Sequence, residues 1–273
     1  MADKYPSTLL VEDDPKKVDI NKAILDLLKK INETANSAST GTAASSPVWI
    51  QGLLVNTIDT GSVSLSSGGC SNLAGTSSVT ITSPLTGSLQ GQLDSGSIAT
   101  GTWYAVFLIW GTGGAPRVLF STSSINPGLP KSYSSYRRVG WVYTDGSKNL
   151  FGLTNFPNNY VEWKPFNNSF SASQDATTTR NVSTMLAPPN TLASCGVCLE
   201  NFVSGDMRMW LRSTSFTDVA ASAITCELMA STGGFATGSA QVPVDGNRQI
   251  AWRKTYTADV YIWVRGWMDD RTT

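Results

Sequence analysis

Four short motifs in this chain have residue types and spacings that could do chemistry. Cys195-Gly-Val-Cys198 has the spacing of a redox dithiol or half a zinc site, and Asp269-Asp270 sets two carboxyls side by side. Asp145-Gly146 could offer a calcium ligand, and Arg137-Arg138 could hold a phosphate. Each has a competing structural reading. A redox pair needs a helix N-terminus to lower a thiol pKa, yet VCLENFV reads as strand. A four-thiolate site would draw on Cys70 and Cys226, which stand singly. Buried, reduced thiols are therefore expected. A glycosidase needs two carboxyls facing each other at about 5–10 Å, whereas neighbours in an extended chain point apart. Asp269-Asp270 is expected as a polar terminus or as the partner of an arginine across a subunit interface. Asp-Gly is first of all a hairpin turn.

The arginine pair sits in YRRVGWVYTDGSKNLF, Tyr136 to Phe151. Strand alternation gives one face to Tyr136, Arg138 and Gly140 and the other to Arg137, Val139 and Trp141, so the charges separate unless a bulge intervenes. Without basic neighbours they would hold phosphate weakly. Pairing with the sparse acids, within the strand or between subunits, is the expectation.

The composition narrows the chemistry further. Histidine is absent, which removes Ser-His-Asp and Cys-His hydrolysis, imidazole acid–base steps and His-bearing zinc sites. The expectation is a protein that is not an enzyme and carries no cofactor and no metal. Twenty basic residues balance twenty acidic ones, so no long-range field draws the chain to nucleic acid. No apolar run approaches the roughly 20 residues that span a bilayer, and no apolar signal core opens the sequence, so synthesis in a cytoplasm without membrane insertion is expected. Nine tryptophans raise a further option. Single ones such as Trp110 or Trp163 are expected in a core or subunit interface, while surface Trp and Tyr could stack on sugar rings at positions the sequence leaves open.

Charge is spread unevenly, and that divides the chain. Residues 1–40 hold seven acids and six lysines, and the rest is poor in charge but rich in Ser, Thr, Gly and Trp. The opening is a polar arm whose apolar cluster, Leu9-Leu10-Val11, is expected to dock on another protein. Asp14-Pro15 starts a helix that runs to about Glu33, because Asp caps and Pro tolerates the first helical position. Ile20, Ile24, Leu27 and Ile31 follow at coiled-coil spacing. Two heptads are too short to stand alone, so the helix either lies on its own domain or joins a small homo-oligomeric bundle. Residues 41–47 close a Ser/Thr/Ala-rich linker, and residues 48–273 form a β-rich body with a second subdomain allowed by a split near 165–180.

Eleven stretches of that body have strand composition, among them VWIQGLLV, TWYAVFLIW, RRVGWVYTDG, RQIAWRK and VYIWVRGW. TWYAVFLIW is apolar almost throughout, which suits burial on both faces, and GTGGAP turns it into VLFSTS as a hairpin. In the closing stretch Tyr261, Trp263 and Arg265 point one way and Ile262, Val264 and Gly266 the other. The fold class expected is mainly β, an antiparallel β-sandwich or jelly-roll-like body after an arm and a short coiled-coil-like helix.

Three blocks then combine into a resemblance. LDSGSIATGTWYAVFLI (Leu93 to Ile109), VLFSTSSINPGLPKSYSSYRRVGWVYTDGSKNL (Val118 to Leu150) and VRGWMDDR resemble a pattern in tail-fibre and other fibre-like virion proteins of tailed bacteriophages. The likeness spans roughly Asp59 to Arg271, loosely between the blocks, and marks a structural domain with no catalytic residue to carry over. It implies an all-β, trimeric appendage module of a virion. Residues 1–40 match nothing in that pattern, as suits an anchor fitted to its own particle. The expected function is a short tail fibre or fibre-adaptor, held to other virion proteins by its arm and contributing to host attachment through surface glycan. A head fibre or capsid decoration protein, and a free carbohydrate-binding module, are the alternatives.

Overall fold

Trp103–Gly111 is apolar at nearly every position, so it can hide both faces only as a central strand under cover. A computed structural model places it there, buried from Trp103 to Trp110 between two antiparallel neighbours. The structure describes Lys30 and residues 47–164, 169–175, 181–200, 207–218, 228–231, 233–255 and 258–271. The expected arm (Leu9, Leu10, Val11) and helix seam (Ile20, Ile24, Leu27, Ile31), and residues 41–46 of the linker, lie outside the described residues.

The strands in chain order are β1 Ile50–Gly52, β2 Val55–Thr57, β3 Ser62–Leu65, β4 Gly68–Ser71, β5 Ser78–Ile81, β6 Leu85–Ser88, β7 Trp103–Gly111, β8 Gly114–Ser121, β9 Ser135–Tyr143 and β10 Gly152–Asn155. They continue with β11 Tyr160–Lys164, β12 Ser169–Asp175, β13 Asn181–Thr184, β14 Leu192–Glu200, β15 Met207–Ser213, β16 Leu228–Ala230, β17 Phe235–Pro243, β18 Gln249–Lys254 and β19 Ala258–Met268. Among the described residues they form five sheets: β1-β4-β5, β2-β3-β6, β8-β7-β9, β13-β18-β15-β16, and β10-β11-β19-β14-β17 with β12 also on β19. All pairings between these strands are antiparallel. The protein is mainly β. Strand β19 takes β14 along one edge and β11 and β12 in succession along the other, so strands from both sides of residues 165–180 share one sheet.

Indoles form the centre of the core. Trp103 of β7, Trp163 of β11 and Trp267 of β19 meet at centroid distances of 4.9–5.6 Å. Trp141, Tyr143 and Phe151 extend the cluster through edge and tilted contacts. Trp110 and Trp163 are both buried, as expected.

VWIQGLLV, read as one strand, is two. Gly52 and Leu53 both take left-handed backbone angles, φ 64° and 55°, and turn β1 into β2. Glycine adopts that conformation freely, whereas leucine does so against its steric preference. Several strands escaped the sequence reading because they carry little apolar content: SVSL, GGCS, LTGS and FATGSAQVP. In β6, Gly87 is required by packing, since a Cβ there would lie 2.6 Å from a Val118 methyl.

Two turns share one construction. The Asp145 carboxylate accepts the amides of Ser147 and Asn149, each at 2.8 Å. The Asp245 carboxylate accepts those of Asn247 and Gln249 at 2.9 and 2.8 Å. Lys148 and Arg248, three residues on, are both left-handed. The Asp145 turn was legible as Asp-Gly. The second needed only the shared pattern Asp-Gly-x-Lys/Arg to be found. Partial burial alone would raise the Asp245 pKa, but the Gln249 amide, the Thr214 hydroxyl and the Asn247 amide together hold it below its ordinary value. A depressed carboxylate adds stability that is complete above the unfolded pKa, near 4, and is lost as pH falls through the lower folded value. We therefore expect Asp245→Ala to cost about 1–2 kcal/mol in urea unfolding at pH 7. The difference from the unmodified protein should shrink as the medium is taken below about pH 4.

Candidate functional site

Arg137 and Arg138 lie on β9 in continuous register with Leu108 and Phe107 of β7, and a bulge follows them. Val106 of β7 faces Gly140 and Phe107 faces Arg138, which leaves Val139 as the extra residue. That break comes after both arginines and leaves their own alternation intact, yet both guanidiniums reach the same segment, Asp269–Arg271. Arg138 Nη1 donates to Asp269 Oδ1 at 2.7 Å, and its Nη2 donates to the Asp270 carbonyl. Arg137 Nη2 donates to the Arg271 carbonyl. Arg271 completes the knot, with Nη1 donating to the Gly52 and Leu53 carbonyls at 2.9 Å each and Nε and Nη2 to Asn159 Oδ1. The Asp269 amide donates to the Asn159 carbonyl at 2.9 Å.

This clamp corrects two expectations. The Arg138–Asp269 partnership forms inside one chain, between β9 and the segment after β19, and neither within a strand nor between subunits. Asp269 is also no polar terminus, because its side chain is fully buried. Charges removed from water need such pairing. Burial lowers the pKa of Arg137 and of Arg271, with neighbouring Cys70 and Asp269 respectively opposing it. Cys70 is buried beside both arginines, and burial still wins, pushing its thiol up to about 12. The carbonyls of the strained Gly52-Leu53 turn are thus fed by a guanidinium more than two hundred residues away in sequence.

Cys195 and Cys198 stand on β14, where a spacing of three puts side chains on opposite faces. Cys195 points into the core opposite Val264 and is pushed up to about 12 by burial. Cys198 stands half-buried on the outer face opposite Tyr261, its thiol raised by burial and by Glu200. The two sulfurs therefore cannot act as a pair. Cys226 lies outside the described residues. Among the described residues no three Cys, Asp or Glu side chains gather in a metal-binding group.

No family model, no curated protein and no solved structure matches the chain.

Beside the clamp, two clefts share Asn190, Thr191 and Asp270 as a common wall. One, of about 540 Å³, runs over Met268, Leu192 and Pro243. The other, of about 450 Å³, runs between Ile125 and the pair Arg138 and Trp141. Asn159 and Asn190 flank the exit of β19, each just ahead of a strand that pairs with Met268, and each is left-handed at φ 63° and 57°. Sequence reading missed both clefts, since their walls come from segments far apart in the chain.

The first cleft opens onto the outer face of the six-stranded sheet. There the alternation expected for the closing strand holds from Tyr261 to Arg265, with Ile262 and Val264 buried, Tyr261 and Trp263 half-buried and Arg265 exposed. It fails at Gly266, which a bulge at Arg265 moves from the expected inner face into register with Ser194 on the outer one. The Trp263 indole fills the space above Gly196, where a Cβ would come within 2.2 Å of the ring. The Arg265 guanidinium reaches 5.9 Å from that ring's centroid. Tyr261 hydrogen-bonds Asp259, whose charge is the first cause of a raised phenol pKa, followed by burial and Glu200. Tyr160 hydrogen-bonds Ser194, and burial raises its pKa. At neutral pH both phenols are hydroxyl groups able to donate and accept.

Proposed function

We propose that this chain is a structural component of a tailed-phage virion, a short tail fibre or fibre-adaptor that contributes to host attachment. The observation that carries this reading is the way the three blocks of the resemblance interlock. Leu93 bridges to Phe120, the Asp94 carboxylate accepts the Gly128 amide at 2.9 Å, and Arg137 and Arg138 of the second block clasp Asp269–Arg271 of the third. A pattern whose polar residues are spent on each other marks a scaffold.

In this reading the β8-β7-β9 sheet and the six-stranded sheet, joined by Trp103, Trp163 and Trp267, make a sandwich-like body. Residues 1–40 moor it to the particle through Leu9, Leu10 and Val11. Ile20, Ile24, Leu27 and Ile31 draw three chains together, and three arms multiply a weak grip through effective concentration. The test is quantitative mass spectrometry of purified particles from cells that make this protein, with the mass of the free protein in solution. A few multiples of three copies per virion, and a free species near three times 29.2 kDa that loses its trimer when residues 1–40 are removed, are expected. Tens to hundreds of copies would place it on the head instead. Absence from the particle, with a monomer in solution, would leave a free carbohydrate-binding module.

A further inference from the structure

The outward side of the six-stranded sheet is laid out in rows. Tyr160, Met268, Leu192 and Pro243 form the first, in register across β11, β19, β14 and β17. Glu162, Gly266, Ser194 and Gln241 form the second. Beyond the bulge at Arg265 come Trp263, Gly196 and Ser239, then Tyr261, Cys198 and Thr237, then Asp259, Glu200 and Phe235. From Leu192 to Glu200 this strip is about 26 Å long at the rise of an extended strand. Its β17 border is exposed at Phe235, Thr237, Ser239, Gln241 and Pro243. One end runs into the cleft of about 540 Å³.

The strip has the chemistry of a surface for a sugar chain. Trp263 and Tyr261, two residues apart on one face, stand about 7 Å apart along the strand. Flat aromatic groups at that spacing offer apolar platforms to the C–H faces of pyranose rings. Around them stand groups that both donate and accept: the Tyr160 and Tyr261 phenols, Ser194, Ser239, Thr237 and Gln241. Gly196 matters because any side chain there would displace the indole from its place over the strand. The charges select among saccharides. Among the described residues Glu162, Glu200 and Asp259, with Asp270 at the cleft, outnumber Arg265 and Lys164, so an anionic polymer would be repelled. They also argue against a second copy laid face to face, which would crowd six to eight carboxylates into one interface with few cations to pair them.

We infer that this face binds an extended, uncharged polysaccharide chain lying along β19 and β14, with Trp263 and Tyr261 as stacking platforms. As a receptor site on a host surface it rests on the attachment reading above; as a saccharide site it does not.

The experiment is affinity electrophoresis of the full-length protein through native gels containing dextran, soluble starch, mannan, galactomannan or alginate. At least one neutral polymer should retard the protein, and alginate should not. Trp263→Ala should weaken that retardation at least tenfold and Tyr261→Ala severalfold, while Trp49→Ala, exposed just ahead of β1, should leave it unchanged. Melting curves of each variant exclude unfolding as the cause. Should Trp263→Ala melt early, Ser239→Arg serves in its place, since that residue is exposed and pairs with Gly196. Retardation by no neutral polymer, preference for alginate, or full retardation of natively folded variants would overturn the assignment. Presence in virions without retardation would sink this inference alone. Retardation by a chain absent from particles would sink the attachment reading alone.

Discussion

Arg138→Ala is expected to destabilise the folded body by about 3–5 kcal/mol, because it strands the fully buried Asp269 carboxylate without its cation. The loss is larger than for a surface ion pair, which is worth about 0–1 kcal/mol, since neither side chain has water to fall back on. The substitution also removes the donor to the Asp270 carbonyl, so the segment Asp269–Arg271 should loosen and with it the support of the Gly52-Leu53 turn. Urea unfolding measures the first effect and amide exchange at Gly52–Val55 reads the second. A double variant separates charge from packing: Arg138→Met with Asp269→Leu leaves no unpaired charge, only the Asp270 carbonyl without its donor, and should recover more than half of the loss. A cost under 1 kcal/mol for Arg138→Ala would mean that Asp269 finds another partner and that the clamp is not what ties β9 to the segment after β19.

Trp267→Ala should cost about 3–5 kcal/mol through the cavity it leaves. The side chain is fully buried and meets Trp103 edge-on at 5.4 Å and Trp163 at 4.9 Å, so it links β19 to both β7 and β11. Edge contacts of this kind add about 0.5–1.5 kcal/mol beyond the area they bury. Trp267→Phe keeps most of the apolar surface and should lose less than half as much. The same scan should show the near-ultraviolet circular dichroism falling with stability, because the coupled indoles lose a member. Equal losses for Ala and Phe would mean that the site cannot relax around either and that packing geometry, not volume, dominates.

The fold was legible where burial writes a one-dimensional pattern. The unbroken apolar run of β7 and the alternation of β19 from Tyr261 to Arg265 survive in the structure because each stretch has an unambiguous number of covered faces, while the bulge that reverses Gly266 left no mark in the pattern. The Asp145 turn was legible because its capping is local, between residues two and four apart. What stayed hidden was non-local or weakly patterned. β17 reads as Phe-Ala-Thr-Gly-Ser-Ala-Gln, a border strand with little to bury, and β3, β4 and β6 are small-residue strands packed close against others. The clamp depends on partners more than 130 residues apart, which composition does not reveal. Of the candidate site, the outward set Tyr261, Trp263 and Arg265 could be read from alternation. The glycine that seats the indole could not, since Gly196 belongs to a different strand.

The central place of β19 also sets an order of events during synthesis. β10, β11, β14 and β17 are all translated before the strand that unites them, so none of them can complete its sheet as it leaves the ribosome. At about 5–20 residues per second, β11 waits on the order of ten seconds for its partner. Through that interval its pairing edge is open to neighbouring nascent chains, and a holding chaperone would be most useful to this protein then.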